Sequence, residues 1–256
     1  RCLTLLERRG RRELPADLGP GAAEVAERSW LEPYPDGRLD SAEQHYVARE
    51  SIELAFVAAL QHLPARQRAA LVLCDVLTFP AKEAAGILDV TVASVTSALQ
   101  RARSTLRGRL DPADTQQAAQ HALGAAGVAD VARRYAAAWE AGDVDAIVGM
   151  LADDARYAMP PLSAWYAGAD AIRAFLVDGP LTSRWRFRPA AANGQLTFAT
   201  YLWDEHTEQW RAGGLDVLAL RGDRISEVVS FLDPAVFTAF GLPLALSDEP
   251  GGSAGL

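Results

Sequence analysis

Between Pro80 and Arg109 apolar residues return at helical spacing, and the rest of the chain is organised around that stretch. Ala84, Ala85 and either Ile87 or Leu88 give a first helix a small apolar inner face. Leu88-Asp89-Val90-Thr91 breaks it, and Thr91 is the candidate N-cap of a second helix. There Val92, Val95, Leu99, Ala102 and Leu106 recur at intervals of 3, 4, 3 and 4, a stripe that packs inward. The opposite face carries Ser94, Thr96, Ser97, Gln100, Arg101 and Arg103, with Arg107 and Arg109 beyond. Short polar groups at the front of a helix approach base edges, and guanidinium groups further back reach phosphate. The pattern alone fits equally well a solvated amphipathic helix in an ordinary bundle.

Upstream, Val47, Ile52, Leu54, Phe56, Val57 and Leu60 predict one helix over 41–60 with Ser41 as its candidate cap. LPARQR from Leu63 starts another, with Pro64 at a helix-initiating position, and runs into the apolar LVLCDV. Four helices then make an all-α unit over residues 46–112. Residues 20–45 are rich in Gly, Pro, Glu and Asp and read as a linker. Within it lies SWLEPYPDG, whose two prolines forbid a continuous helix. Trp30, Leu31, Pro33, Tyr34 and Pro35 read either as a linker packing locally or as a latch that docks in a groove.

The period changes in the second half. Residues 113–127 are a connector, Ala/Gln-rich, either a short helix or an adaptable segment. Helices are predicted at Val128–Ala141, near Val144–Leu151 and at Ala169–Leu176. Strands follow at Ser183–Ala191, Gln195–Trp203, Gly214–Leu220 and Ile225–Leu232, with tight turns at Asn193-Gly194 and Gly222-Asp223. Helices first and an antiparallel sheet afterwards predict an α+β domain over 128–243. Residues 244–256 have the composition of a disordered tail.

Charge sharpens this division. The chain of 256 residues is long enough for two modest domains and carries a net charge of −8. After residue 115 there are 10 basic and 17 acidic residues, whereas 91–110 holds four arginines and no acid. A basic face on an acidic protein suits a DNA contact made inside a larger complex. Cys2 and Cys74 are too few for a disulfide framework or a zinc site, and Cys74 in its apolar run reads as core. His45, His62, His121 and His206 form no ligand pair, so neither a metal nor a cofactor is expected. No apolar run approaches the ~20 residues of a membrane span.

Leu63–Leu110 resembles region 4 of the extracytoplasmic-function (ECF) sigma factors of bacterial RNA polymerase. The likeness rests on LPARQR, LVLCDV, the small-residue helix after Pro80 and SVTSALQRAR at Ser94–Arg103. The stretch departs from the family at Pro80-Ala81 and at Ala98, where arginine is common, which takes a basic residue off the reading face. Residues 1–19, with Arg8, Arg9, Arg11 and Arg12, resemble the end of sigma region 2. The chain opens on arginine, which reads as a fragment lacking most of that region. A Trp-Leu-Pro-rich signature like WLEPYP marks sigma factors with an extra C-terminal domain. The resemblance implies a cytoplasmic transcription factor. Its partners would be core RNA polymerase, at the β flap and β′, and the −35 promoter element. Ser94, Thr96, Ser97, Gln100, Arg101, Arg103 and Arg107 would face the DNA.

Val128–Pro243 resembles the SnoaL-like branch of the NTF2-like fold, through YAAAWEAGDVDAIVGMLADDARYAMPP, GADAIRAFL and GLDVLALRGDRISEVVSFLDPAVFTAFGLP. That implies a cone: a curved sheet wrapped round helices. Members include polyketide cyclases and ketosteroid isomerases as well as non-catalytic domains, so the fold does not assign chemistry. Tyr135, Trp139, Tyr157, Met159, Trp165, Tyr201 and Trp203 are candidate pocket walls. Asp216 and Asp233 are the candidate pocket carboxylates, with Asp233 equally suited to cap the turn after its strand. A base here would need a raised pKa and a partner. No histidine is placed to supply one, so no catalytic residue is assigned and a small apolar ligand is the expected occupant. The remaining alternative is a cyclase or isomerase fused to a helical DNA-binding module.

Overall fold

The computed structural model describes residues 12–13, 29–30, 32–36, 63–77, 79–107 and 116–247. The predicted helix over 41–60, Leu31, most of the region 2 remnant and residues 248–256 lie outside them. Two short strands come first, β1 (Arg12–Glu13) and β2 (Ser29–Trp30), paired in parallel.

Small residues let the next helices cross closely. α1 (Ala65–Leu71) starts after Pro64 and continues as a π-helical turn, Val72–Val76. α2 (Ala81–Leu88) ends at Asp89, whose φ of 52° places it in the left-handed region. That region suits Asp better than most non-glycine residues, because its short polar side chain bonds locally. α3 (Val92–Arg107) follows. Ala70, Ala84, Ala85, Val95 and Ala98 form one buried cluster; Leu63, Leu71, Ala102 and Leu106 form a second. Thr91 caps α3 by accepting the Ser94 N–H at 3.1 Å. Thr91→Ala should therefore cost about 1 kcal/mol of region stability, read by urea unfolding.

Two apolar positions differ from the periodic expectation. Ile87 is 57% and Val92 45% exposed. Leu88 packs inward in place of Ile87, and Ala98 is buried where Val92 is not. Because Ala98 packs inward, it never belonged to the reading face, and its lack of charge removes no contact there.

The second unit begins earlier than expected. α4 (Gln116–Ala141) is kinked at Gly124, whose φ is 71°. Its first part replaces the predicted connector: Gln116 is buried, and Ala119 and Leu123 pack against the domain core. α5 (Val144–Gly149) is capped by Asp143, which accepts the Ala146 N–H. β3 (Leu151–Ala158), β4 (Trp165–Ala167) and α6 (Ala169–Asp178) follow. Then come β5 (Trp185–Ala192), β6 (Gln195–Asp204), β7 (Gln209–Arg221) and β8 (Arg224–Phe231). The chain closes with α7 (Ala235–Ala239) and β9 (Ala245–Leu246). β9 pairs with β7 at Trp210, so the start of the supposed tail is ordered in the sheet.

The strand order is β4-β3-β8-β7-β6-β5. β3 runs parallel to β8, and the β5–β8 run is an antiparallel meander. The predicted turns hold: Asn193 and Gly194 have φ of 56° and 64°, and Gly222 has φ of 60°. The sheet carries a core on each face. One packs α4, α5 and α6 against Phe187, Phe198, Leu218 and Val228. The other gathers Tyr201, Trp210, Leu215, Val217 and Phe231 under Phe237 of α7.

Candidate nucleic-acid interface and a buried carboxylate

On α3 the polar face is open. Ser94, Thr96, Gln100, Arg101 and Arg103 are exposed and Ser97 is half-buried. The side chain of Arg107 lies outside the description. Local bonds preset several of these groups. Ser94 Oγ lies 2.9 Å from Thr91 Oγ1, and Thr96 donates to the Val92 carbonyl. Arg101 donates to Ser97 Oγ at 3.2 Å. Such helix-surface bonds hold a guanidinium upright over the front of the helix. A cleft of about 670 Å³ opens alongside, between Pro64, Arg66 and Gln67 of the α1 start and Ser94, Ser97 and Arg101.

Arg103 is differently engaged. Its Nε and Nη2 donate to both carboxylate oxygens of Asp75, at 2.9 and 2.7 Å. The fork ties α3 to the π-helical turn and holds the guanidinium in one orientation. Asp75 was not singled out from the sequence; 28 residues separate the pair, and no periodicity links them. Cys74 beside it is half-buried, and burial, followed by the Asp75 charge, pushes its thiol up.

In the second unit the predicted pocket set divides between the two faces of the sheet. Tyr135, Trp139, Tyr157 and Met159 join the core packed on α4–α6. Tyr201 and Trp203 belong to the opposite core, where Arg184 stacks over Trp203 and Arg186 over Trp210. They wall no common pocket with Tyr135, because on β6 residues 201 and 203 alternate with the inward Phe198. Trp165 sits half-buried in the edge strand β4. Asp233 is exposed and accepts the Ala235 N–H at 2.8 Å, so it caps the last turn and lines nothing.

Asp216 is the carboxylate that does point inward. It is 2% exposed, and Tyr135 Oη donates to its Oδ2 at 3.3 Å. Burial lifts its pKa to about 6, against hydrogen bonds from Ser230 and Tyr135 that stabilise the anion. Burial and then the nearby Asp216 push the Tyr135 and Tyr157 hydroxyls well above their ordinary value. Ser230 went unrecognised in the sequence, although it is register partner to Asp216 across β7–β8. Chemically the cluster is a carboxyl group that is half neutral near pH 6, ringed by hydroxyls. No three metal-ligating side chains converge among the described residues. None of their helices is long and apolar enough to cross a membrane.

The segment around the predicted latch meets this second unit. Tyr34 donates its N–H to Asn193 Oδ1 at 2.8 Å, and the Asn193 N–H donates back to the Tyr34 carbonyl at 3.0 Å. Gly194 N–H donates to Asp36 Oδ1 at 2.9 Å, and Pro35 bridges Ala192. Pro33 is buried, Pro35 half-buried and Tyr34 40% exposed. Trp30 lies in β2, where only its backbone pairing with Glu13 is described.

A helix-turn-helix unit with an open polar reading face, joined to an α+β cone, defines a DNA-binding factor with an accessory domain. Comparison with known proteins agrees. Residues 53–106 match the family of sigma-70, region 4, and residues 132–228 match the SnoaL-like domain. The ECF RNA polymerase sigma factor SigG of Mycobacterium tuberculosis, in strains CDC 1551 and H37Rv, is 42% identical over 270 residues. That alignment covers 96% of this chain and 68% of SigG. The chain therefore belongs to the ECF sigma factors of RNA polymerase. The crystal structure of the Mycobacterium tuberculosis ECF sigma factor SigJ shares the fold. Its TM-score is 0.56 at 22% identity, covering 86% of this chain and 77% of that one. This membership sets aside the reading of the whole chain as a cyclase or isomerase fusion.

Proposed function

We propose that α3 reads the −35 promoter element while the helical unit docks on core RNA polymerase in the cytoplasm. The observation that carries this is the exposed face of Ser94, Gln100 and Arg101, preset by the Thr91 cap and the Arg101–Ser97 bond. Ser94, Thr96, Ser97 and Gln100 approach base edges, and Arg101 and Arg107 take phosphates. Arg103 acts through Asp75 first, fixing the angle of α3, and reaches phosphate from that fixed position. The exposed Leu77 and Ile87 are apolar contacts offered to the β flap.

The domain over residues 116–247 regulates initiation by contact, through the segment at Pro33–Asp36, and performs no turnover. A small apolar ligand with one polar group would meet Tyr135 and Asp216 inside the cone.

Arg101→Ala should lower the slope of log K against log salt for promoter DNA by about 0.9, the loss of one phosphate contact. Gln100→Ala should instead relax preference at one base pair by about 1–3 kcal/mol. Binding titrations from low to high salt check both. An Arg101→Ala slope equal to the parent's would remove α3 from the DNA.

A further inference from the structure

Three arginines alternate along one edge of the second domain's sheet: Arg184 just before β5, then Arg186 and Arg188 within it. Trp185 and Phe187 between them pack towards α4, so all three arginines stand on the face of Trp203 and Trp210. Register fixes their places. The Trp203 N–H donates to the Arg184 carbonyl at 3.0 Å, and Arg186 and Arg188 lie opposite Tyr201 and Ala199. The two tryptophans carry the first two guanidinium groups. Arg184 lies 5.0 Å over Trp203 and 5.4 Å over Trp210, and Arg186 lies 4.3 Å over Trp210. Arg188 is close enough for its charge to oppose the upward push that burial gives the Tyr201 hydroxyl. Arg184 and Arg188 are exposed and form no ion pair with a carboxylate among the described residues. Elsewhere on the domain arginines sit against acids, as Arg211 does on Asp204 and Arg221 on Asp154.

We infer that this arginine ladder is a second nucleic-acid contact, taken up by the phosphate backbone of duplex flanking the −35 element. It rests on the reading that α3 sits on that element. Side chains on one face of a strand recur about every 6.6 Å, close to the through-space separation of consecutive phosphates on one DNA strand. Arginine presents a planar fork that matches phosphate oxygens, and a ring beneath it fixes that plane while leaving N–H edges for the ligand. The ladder is also a local exception in charge. After residue 115 there are 10 basic and 17 acidic residues, so a polyanion is steered to this edge rather than to the rest of the domain. Reach is short as well. Residues 108–115 join the end of α3 to the start of α4, and that length spans at most about 28 Å. α4 in turn holds β5 through Glu140, which accepts the Phe187 N–H at 2.9 Å. With α3 in the groove, the ladder is therefore kept within reach of the adjoining backbone at high effective concentration. Phosphate contacts carry no base information, so the ladder raises affinity without altering sequence preference.

Binding titrations of the full chain from low to high salt test this on two duplexes, one extending beyond the −35 element on both sides and one trimmed to it. On the long duplex the double variant Arg184→Gln, Arg188→Gln should lower the slope of log K against log salt by about 1.8, the loss of two phosphate contacts. On the trimmed duplex the same variant should titrate as the parent does. Arg101→Ala lowers the slope on both, so reading by α3 and contact by the ladder fail separately. Arg184→Lys with Arg188→Lys keeps the charge and should hold the parent slope. If the lysine variant lost as much slope as the glutamine variant, the effect would come from packing on the tryptophans, and the ladder would be overturned as a phosphate contact. A parent-like slope of the glutamine variant on the long duplex would overturn it outright. Should that variant instead bind core RNA polymerase more weakly while holding DNA as the parent does, the ladder belongs to an acidic protein surface and the DNA assignment falls.

Discussion

Trp139→Ala is expected to cost about 3–5 kcal/mol of stability in the SnoaL-like domain, the range for deleting a buried ring from a packed core. Trp139 is 3% exposed and meets three other rings. Tyr135 lies 6.2 Å away, Trp185 6.0 Å and Phe187 5.5 Å, centroid to centroid. Trp203→Ala should cost less, about 1–3 kcal/mol, because its half-buried ring packs on Trp210 at 5.1 Å and under Arg184 rather than being enclosed on all sides. Trp203 is half-buried on the other face of the sheet, with Arg184 stacked 5.0 Å above it. Urea unfolding of the two variants separates the faces. Equal costs would mean that both tryptophans share one core, as the sequence pattern implied.

Asp216→Asn should change how stability depends on pH, by about 3 kcal/mol between acid and alkaline conditions. The carboxyl group rises from an ordinary 3.8 to about 6 in the fold, chiefly through burial. The folded state then holds the proton more tightly than the unfolded chain. The stability this contributes is fully present below the unfolded value and is lost as pH rises through about 6. Asparagine keeps the shape and an acceptor for Tyr135 without a charge to desolvate. The variant should therefore be increasingly more stable than the parent from pH 4 to pH 8. Other carboxylates run the opposite way: hydrogen bonds hold Asp154 and Asp204 below the ordinary value, led by Arg221 for the first and the His206 backbone for the second. The informative quantity is accordingly the difference between variant and parent, measured by denaturant unfolding at each pH. A difference independent of pH would mean that Asp216 is ionised at no cost.

What the sequence determined by itself is the local structure of the first unit. A 3-4 apolar repeat, a helix-starting proline and a capping threonine act within a few residues, and helix hydrogen bonds are equally local. α1, α2, α3 and the break between α2 and α3 at Asp89 stand where those signals put them. The hairpin turns at Asn193-Gly194 and Gly222-Asp223 were legible for the same reason. β3 was not: LADDARYA has weak alternation, and it is a strand because β8 accepts it in parallel register some 70 positions further on. The candidate site divides along the same line. Exposure of Ser94, Gln100 and Arg101 followed from helix phase, whereas the Asp75 fork on Arg103 needed the fold. Which aromatic rings share a core with Asp216 depended on the phase of β6, since one residue of alternation moves Tyr201 and Trp203 to the other face. The meeting of Asp36, Asn193 and Gln120 at one turn was decided by tertiary structure alone. Backbone donors and acceptors are the same at every residue, so nothing in their order announces which distant pair will satisfy them.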